Sequence, residues 1–143
     1  MSKLVNTYEE FKAHTDEVRE DRGVTVKAVL VVLAWCFDVP LDLRHGKALR
    51  RMLDGQTPES IREVCAEIRV AYWHEDMDAK ATAECVATTS SDAWKYNPGH
   101  TSQELFGIIW YSDGSHSRRA EYDGAEWWEY VPTPDIPAWL TER

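Results

Sequence analysis

Through the first two thirds of the chain apolar residues recur at offsets of three and four, the period of a helix; in the last third they fall in short runs between turn residues. Tyr8, Phe11, Thr15 and Val18 lie on one side of a first helix. Asn6 or Thr7 caps it, Glu9 and Glu10 sit in the first turn where the backbone dipole favours anions, and Gly23 closes it after an end near Asp21. Residues 24–37 are rich in β-branched side chains, but the run is about twice the length of an ordinary strand. It also holds Ala28, Leu30, Leu33 and Ala34, so it reads as a buried helix, with a strand as the alternative, stopped by Asp38-Val39-Pro40. A helix from Asp42 to near Leu53 buries Leu49, Met52 and Leu53. After the turn Asp54-Gly55-Gln56, the cap Thr57 and the first-turn Pro58 open another, whose apolar face is Ile61, Val64, Cys65, Ile68 and Tyr72. A short helix over 78–86 and a polar loop over 87–98 follow.

Residues 105–111, 115–122 and 125–131 are β-prone runs separated by Asp113-Gly114 and Asp123-Gly124, the pattern of a meander. Two-residue turns at both places set Ile108 opposite Arg119 and Arg119 opposite Trp128, and likewise Trp110 opposite Ser117 and Ser117 opposite Tyr130. Ile109, Arg118 and Glu129 then line the other side, and Glu121 meets Glu126, a like-charge pair that points to a bulge in the second turn. Pro132, Pro134 and Pro137 force an extended tail, with Trp139 and Leu140 docking back. The expected fold is one α+β domain over 1–143: four or five helices over about 7–88, followed by a three-stranded antiparallel β-meander and a Pro-rich tail over about 105–140. There is no internal repeat.

Composition narrows the setting. A 43% hydrophobic and 29% charged chain can offset its folding entropy and is no disordered tail. Cys36, Cys65 and Cys85 are odd in number and form no C-x-x-C pair, so neither a disulfide framework nor a zinc knuckle is expected, and a reducing, cytoplasmic setting fits. No apolar run follows Lys3 as in a signal peptide, and 24–37 is shorter than the ~20 residues a spanning helix needs, so no membrane partner is expected. The net charge of −9 argues against broad nucleic-acid affinity, and fits plain solubility, a basic partner or mimicry of nucleic-acid charge.

Residues 42–73 have the outline of a helix-turn-helix pair, with Arg44, Lys47, Arg50 and Arg51 as a basic stripe on its first helix. The positions that would enter a major groove are Glu59, Ser60, Arg62 and Glu63, so nucleic-acid contact ranks behind a solvated or internally paired basic face. The meander is dense in aromatics, and the neighbours Trp127 and Trp128 must point to opposite faces. The company of Ile109 and Val131 assigns Trp127 to the core. Trp128, Tyr130, Arg119 and Trp110 then form the candidate binding face, for a protein or, with Arg118, for a stacked base and its phosphate; the plain alternative packs that face against the proline tail. Catalytic signals are poor. His74 and Asp78 stand at i and i+4 without the second histidine of H-E-x-x-H. His14-Thr15 and His100-Thr101 lack the flanking apolar residues that would seat them on adjacent strands, and Ser115-His116-Ser117, beside a hairpin turn, lacks a glycine-rich elbow that would expose a nucleophile. With no phosphate loop or dinucleotide fingerprint either, no cofactor and no metal are expected.

The run from Asp113-Gly114 through Arg119, Glu121-Tyr122-Asp123-Gly124 and Glu126-Trp127-Trp128-Glu129-Tyr130 to Pro134-Asp135-Ile136-Pro137 resembles the short meanders of small bacteriophage or prophage accessory proteins. The resemblance carries no catalytic motif and transfers no site residue. It implies a non-enzymatic acidic binder in the host cytoplasm that engages or inhibits a host or defence protein. A DNA-binding replication or regulatory module is the second reading and a small hydrolase the third.

Overall fold

The computed structural model describes residues 4–34, 43, 46–97, 103–122 and 125–132. Its first element is a two-residue strand, β1 (Val5–Asn6), running directly into α1 (Thr7–Arg22). The side chain of Asn6 caps that helix by accepting from the Glu9 amide at 3.0 Å, and Gly23 ends it at φ 69°, a left-handed conformation that suits glycine. Then come β2 (Val26–Leu33), α2 (Lys47–Leu53), α3 (Pro58–Val64), β3 (Arg69–His74) and α4 (Ala79–Thr89). A 3-10 turn at Asp92–Trp94 leads into β4 (Lys95–Tyr96), and the chain finishes with β5 (Leu105–Tyr111), β6 (His116–Tyr122) and β7 (Ala125–Val131).

The α+β class stands, but the expected arrangement does not. Among the described residues there are four helices, a five-stranded antiparallel sheet in the order β3-β2-β5-β6-β7, and a separate β1–β4 ladder, rather than helices followed by a three-stranded meander. Two segments read as helical are strands. In β2, Val31 and Leu33 face one core while Leu30 and Val32 face another, and all four are buried. A central strand covered on both sides carries an unbroken apolar run, and its β-branched residues suit the pleat. Likewise α3 stops at Val64, where Cys65 turns extended at φ −150°. Ile68, Val70 and Tyr72 then alternate on one face: the offset of four between Ile68 and Tyr72 satisfies a strand's period as well as a helix's. The stop expected at Asp38-Val39-Pro40 lies outside the described residues, as do the turn at Asp123-Gly124, the tail from residue 133 and the site candidates Arg44 and His100.

Helices cover both faces of the sheet. The inner side of α1 packs Phe11 and Val18 with Val31, Leu33, Ile109 and Trp128, and α4 lies beside it, tied to β3 by a 2.9 Å hydrogen bond from Trp73 Nε1 to Thr82 Oγ1. On the opposite face α2 and α3 bury Ala48 and Ile61 against Leu30, Val32, Val70 and Phe106. Among the described residues no helix is long and apolar enough to cross a membrane.

The two hairpins differ in register. In the first, Tyr111 N–H donates to the Ser115 carbonyl at 3.0 Å and Gly114 adopts φ 89°, which makes a three-residue loop ending in a left-handed glycine. One residue more than expected shifts the pairing to Ile108↔Arg118, Ile109↔Ser117 and Trp110↔His116. The second hairpin pairs Ser117↔Tyr130, Arg118↔Glu129, Arg119↔Trp128 and Glu121↔Glu126 as expected, and its ladder runs without a bulge from His116↔Val131 to Tyr122↔Ala125.

Candidate functional site

Beneath α1 lies a buried ionic cluster. Along the sheet-facing stripe of this helix Thr7, Glu10 and His14 alternate with apolar Phe11 and Val18, so one turn after another delivers a polar group inward. The Arg119 side chain, 1% exposed, reaches up from β6 to pair with Glu10 through Nη1, and through Nη2 it donates to Tyr96 Oη at 2.8 Å and to Glu126 Oε1 at 3.0 Å. Tyr96 Oη donates in turn to Glu10 Oε1. Glu126, with no exposed side-chain surface, also accepts from the Leu105 amide at 3.0 Å and the Glu104 amide at 2.9 Å.

Burial pushes the Glu126 carboxyl upward, opposed by those two amides and by Arg119. Burial likewise drives the Tyr96 phenol well above its usual range, keeping it a neutral donor. Burial works against the Arg119 cation, but Glu10, Tyr96 and Glu126 outweigh it and lift its pKa. The guanidinium lies 5.1 Å from the Trp128 ring centre, a cation–π contact. Arg119 Nε and Trp128 Nε1 are buried with no hydrogen-bond partner among the described residues. The cluster ties α1 to β4, β6 and β7, and both Nη groups of Arg119 are paired within it.

Next to it, His14 Nε2 and Ser117 Oγ share a 2.7 Å hydrogen bond, and Tyr111 Oη lies 2.6 Å from the same hydroxyl. Burial holds the His14 imidazole below its ordinary value; Arg119 acts in the same direction, and Glu17 and Glu10 against it. A histidine on a serine has the outline of a nucleophile and its base. Ser117 is fully buried, however, and offers a substrate no approach. Ser115 Oγ is bound to Asp113, and His116 faces the other side of the sheet. Thr15 Oγ1 bonds back to the Lys12 carbonyl.

The expected aromatic face is overturned. Trp128 is 7% exposed and Arg119 is buried beside it, while Tyr130 packs against Tyr111 at 5.7 Å with Arg22 over its ring at 5.2 Å. Trp110 pairs with His116 and so faces away from all three, because the longer first loop slips β5 by one residue against β6. That slip also moves Ile109 to the Ser117 and Tyr130 side, removing the company that had assigned Trp127 to the core. Trp127 is 42% exposed, and diagonal to it on β6 stands Tyr122 at 77%. Around them on the same face are Ala120, Arg118 and Glu129, the last two an exposed ion pair at 3.5 Å. The covering helices α2 and α3 pack on the other half of this face, over β2, β3 and β5.

On α2, Lys47 and Arg50 are exposed and Arg51 is half-buried. The helix that would enter a groove is only Pro58–Val64, with Glu59 exposed in its first turn and Arg62 donating to the Val70 carbonyl at 3.0 Å; the rest of the expected helix is turn and strand. Asp78 caps α4, accepting from the Ala81 amide at 2.8 Å, so its spacing from the exposed His74 is that of a strand end and a helix start. No group of three metal-binding side chains occurs among the described residues. Cys65 and Cys85 are free thiols. Neither the models of protein families, nor the curated proteins, nor the solved structures contain a match to this chain.

Proposed function

We propose that this protein is a non-enzymatic acidic binding protein that engages a protein partner through the outward face of β6 and β7. The observation that carries the reading is the pair Trp127 and Tyr122, large rings open to solvent on neighbouring strands; the other exposed aromatic of the sheet among the described residues, Tyr72, stands alone on the far edge strand β3. Trp and Tyr at the centre of a contact are the side chains that most often anchor binding. The resemblance to phage accessory proteins makes the partner a host or defence protein of the cytoplasm, and the net charge of −9 favours a partner with a basic surface. The burial of Ser117 and the mutual pairing of Arg119, Glu10 and Glu126 support binding over catalysis.

The test is capture of partners from host lysate by the unmodified protein and by Trp127→Ala and Tyr122→Ala, followed by affinity measurement on the purified partner. A partner bound by the parent and weakened by about 2 kcal/mol or more in Trp127→Ala is expected. Binding unaffected by both changes would contradict the assigned face. Exposed Lys47 and Arg50 keep duplex DNA as the second reading. Sub-micromolar, salt-sensitive DNA binding that is lost in the Lys47, Arg50 and Arg51 alanine variant would put it first.

A further inference from the structure

On the face of the sheet covered by α1 and α4, a cleft of about 200 Å³ lies between those two helices. Its walls are Tyr8 and Phe11 from α1 and Cys85 and Val86 from α4, and its floor is Val29 and Val31 of β2. From these residues we infer that the cleft is a binding site for a small uncharged ring compound, a role separate from the partner face on the other side of the sheet.

Three features fix that chemistry. The first is size: an apolar cavity of about 150 Å³ accommodates benzene, so this one takes one ring or two fused rings. The second is polarity. Among the described residues no charged side chain borders the cleft, and its threonines and thiol have protein partners: Thr7 Oγ1 donates to the Trp94 carbonyl at 2.6 Å, Thr82 Oγ1 accepts from Trp73, Cys85 Sγ lies 3.5 Å from the Tyr72 carbonyl, and Thr89 Oγ1 donates to the Cys85 carbonyl at 2.8 Å. A charged guest entering here would lose its water and gain no counter-charge. The third is rigidity. The ties of Glu10 and His14 to Arg119 and Ser117 hold α1 toward β6 and β7, whereas Trp73–Thr82 and Cys85–Tyr72 hold α4 over the opposite edge strand, β3. Polar ties on either side therefore keep the helices apart, and a guest finds the space already formed.

The test titrates the full-length protein with toluene, and with benzoate as the charged analogue of equal ring size, following the methyl resonances of Val29, Val31 and Val86. Saturable toluene shifts are expected at these methyls, with benzoate at least tenfold weaker. Val86→Phe, made at a half-exposed helix position, fills the cleft and is expected to abolish the toluene shifts of Val29 and Val31 without lowering the unfolding midpoint; Cys85→Leu performs the same test if that variant does not fold. No saturable shift up to the solubility of toluene, equal binding of benzoate, or undiminished binding in a folded filled variant would each overturn the site. Neither titration depends on Trp127.

Discussion

Trp127 and Trp128 are neighbours in sequence and have opposite fates, and so do Arg118 and Arg119 on the strand beside them. One side of the β6–β7 hairpin buries Arg119, Glu126 and Trp128 beneath α1; the other leaves Arg118, Glu129, Trp127 and Tyr122 partly or largely in water. The difference teaches that formal charge does not choose the face. Arg119 goes inside because Glu10 meets its Nη1 and Glu126 and Tyr96 meet its Nη2, and a buried ion that is paired and hydrogen-bonded is tolerated where an unpaired one is not. Its indole neighbour goes inside with it.

Breaking the inner side has the largest expected effect. Arg119→Ala strands the buried Glu126 carboxylate and the half-buried Glu10 and is expected to cost about 3 to 5 kcal/mol of folding free energy. The adjacent Arg118→Ala removes only an exposed pair and is expected to cost about 0 to 1 kcal/mol. Urea unfolding of the two variants side by side measures the gap, and similar losses would erase the contrast between the faces. Trp128→Ala is also expected to cost about 3 to 5 kcal/mol, as truncation of a packed ring does.

A smaller effect probes how closely that ring is seated. A Cβ on Gly107 would lie 2.7 Å from the Leu30 carbonyl oxygen and 2.9 Å from Trp128 Cη2, and the first of these neighbours is backbone. Gly107→Ala is therefore expected to cost about 1 to 3 kcal/mol and to alter the near-ultraviolet spectrum of the tryptophans. An unchanged midpoint would mean that Trp128 does not lie over Gly107.

Acid gives a milder perturbation of the same side. The pKa of His14 is lowered in the folded state, so as pH falls the unfolded chain takes up its proton first, near 6.5. The stability tied to the neutral imidazole is complete above that value and is lost as pH drops toward the folded pKa. Unfolding midpoints between pH 8 and 5 are expected to fall, and His14→Gln to flatten the fall across that window. A parent protein whose stability rises over the same range would contradict the buried, neutral imidazole.

Part of this was legible in the sequence. The caps at Asn6 and Thr57, the β5–β6–β7 succession and the pairing of Arg119 with Trp128 follow from local chemistry and short-range spacing, whereas the three-residue loop of the first hairpin does not. What escaped depends on partners far away in the chain. The apolar run of β2 reads as a helix until it is known that helices cover both faces, and Ile68 and Tyr72 fit either period. The cluster around Arg119 joins residues as far apart as Glu10 and Glu126, which no local pattern brings together. One signal was available. Glu126 opposite Glu121 in the expected register is a like-charge conflict; it resolves not by a bulge but by turning Glu126 inward to a cation, which would have marked Arg119 and Trp128 as core.

The assigned face rests on Trp127 being dispensable to the fold, so the most direct test is the unfolding free energy of Trp127→Ala in urea, measured beside Trp128→Ala. A loss of about 1 kcal/mol or less is expected for Trp127→Ala, in keeping with an indole already 42% exposed. A loss of about 3 kcal/mol or more, equal to that of its neighbour, would place both rings in the core and remove the surface on which a partner is proposed to sit.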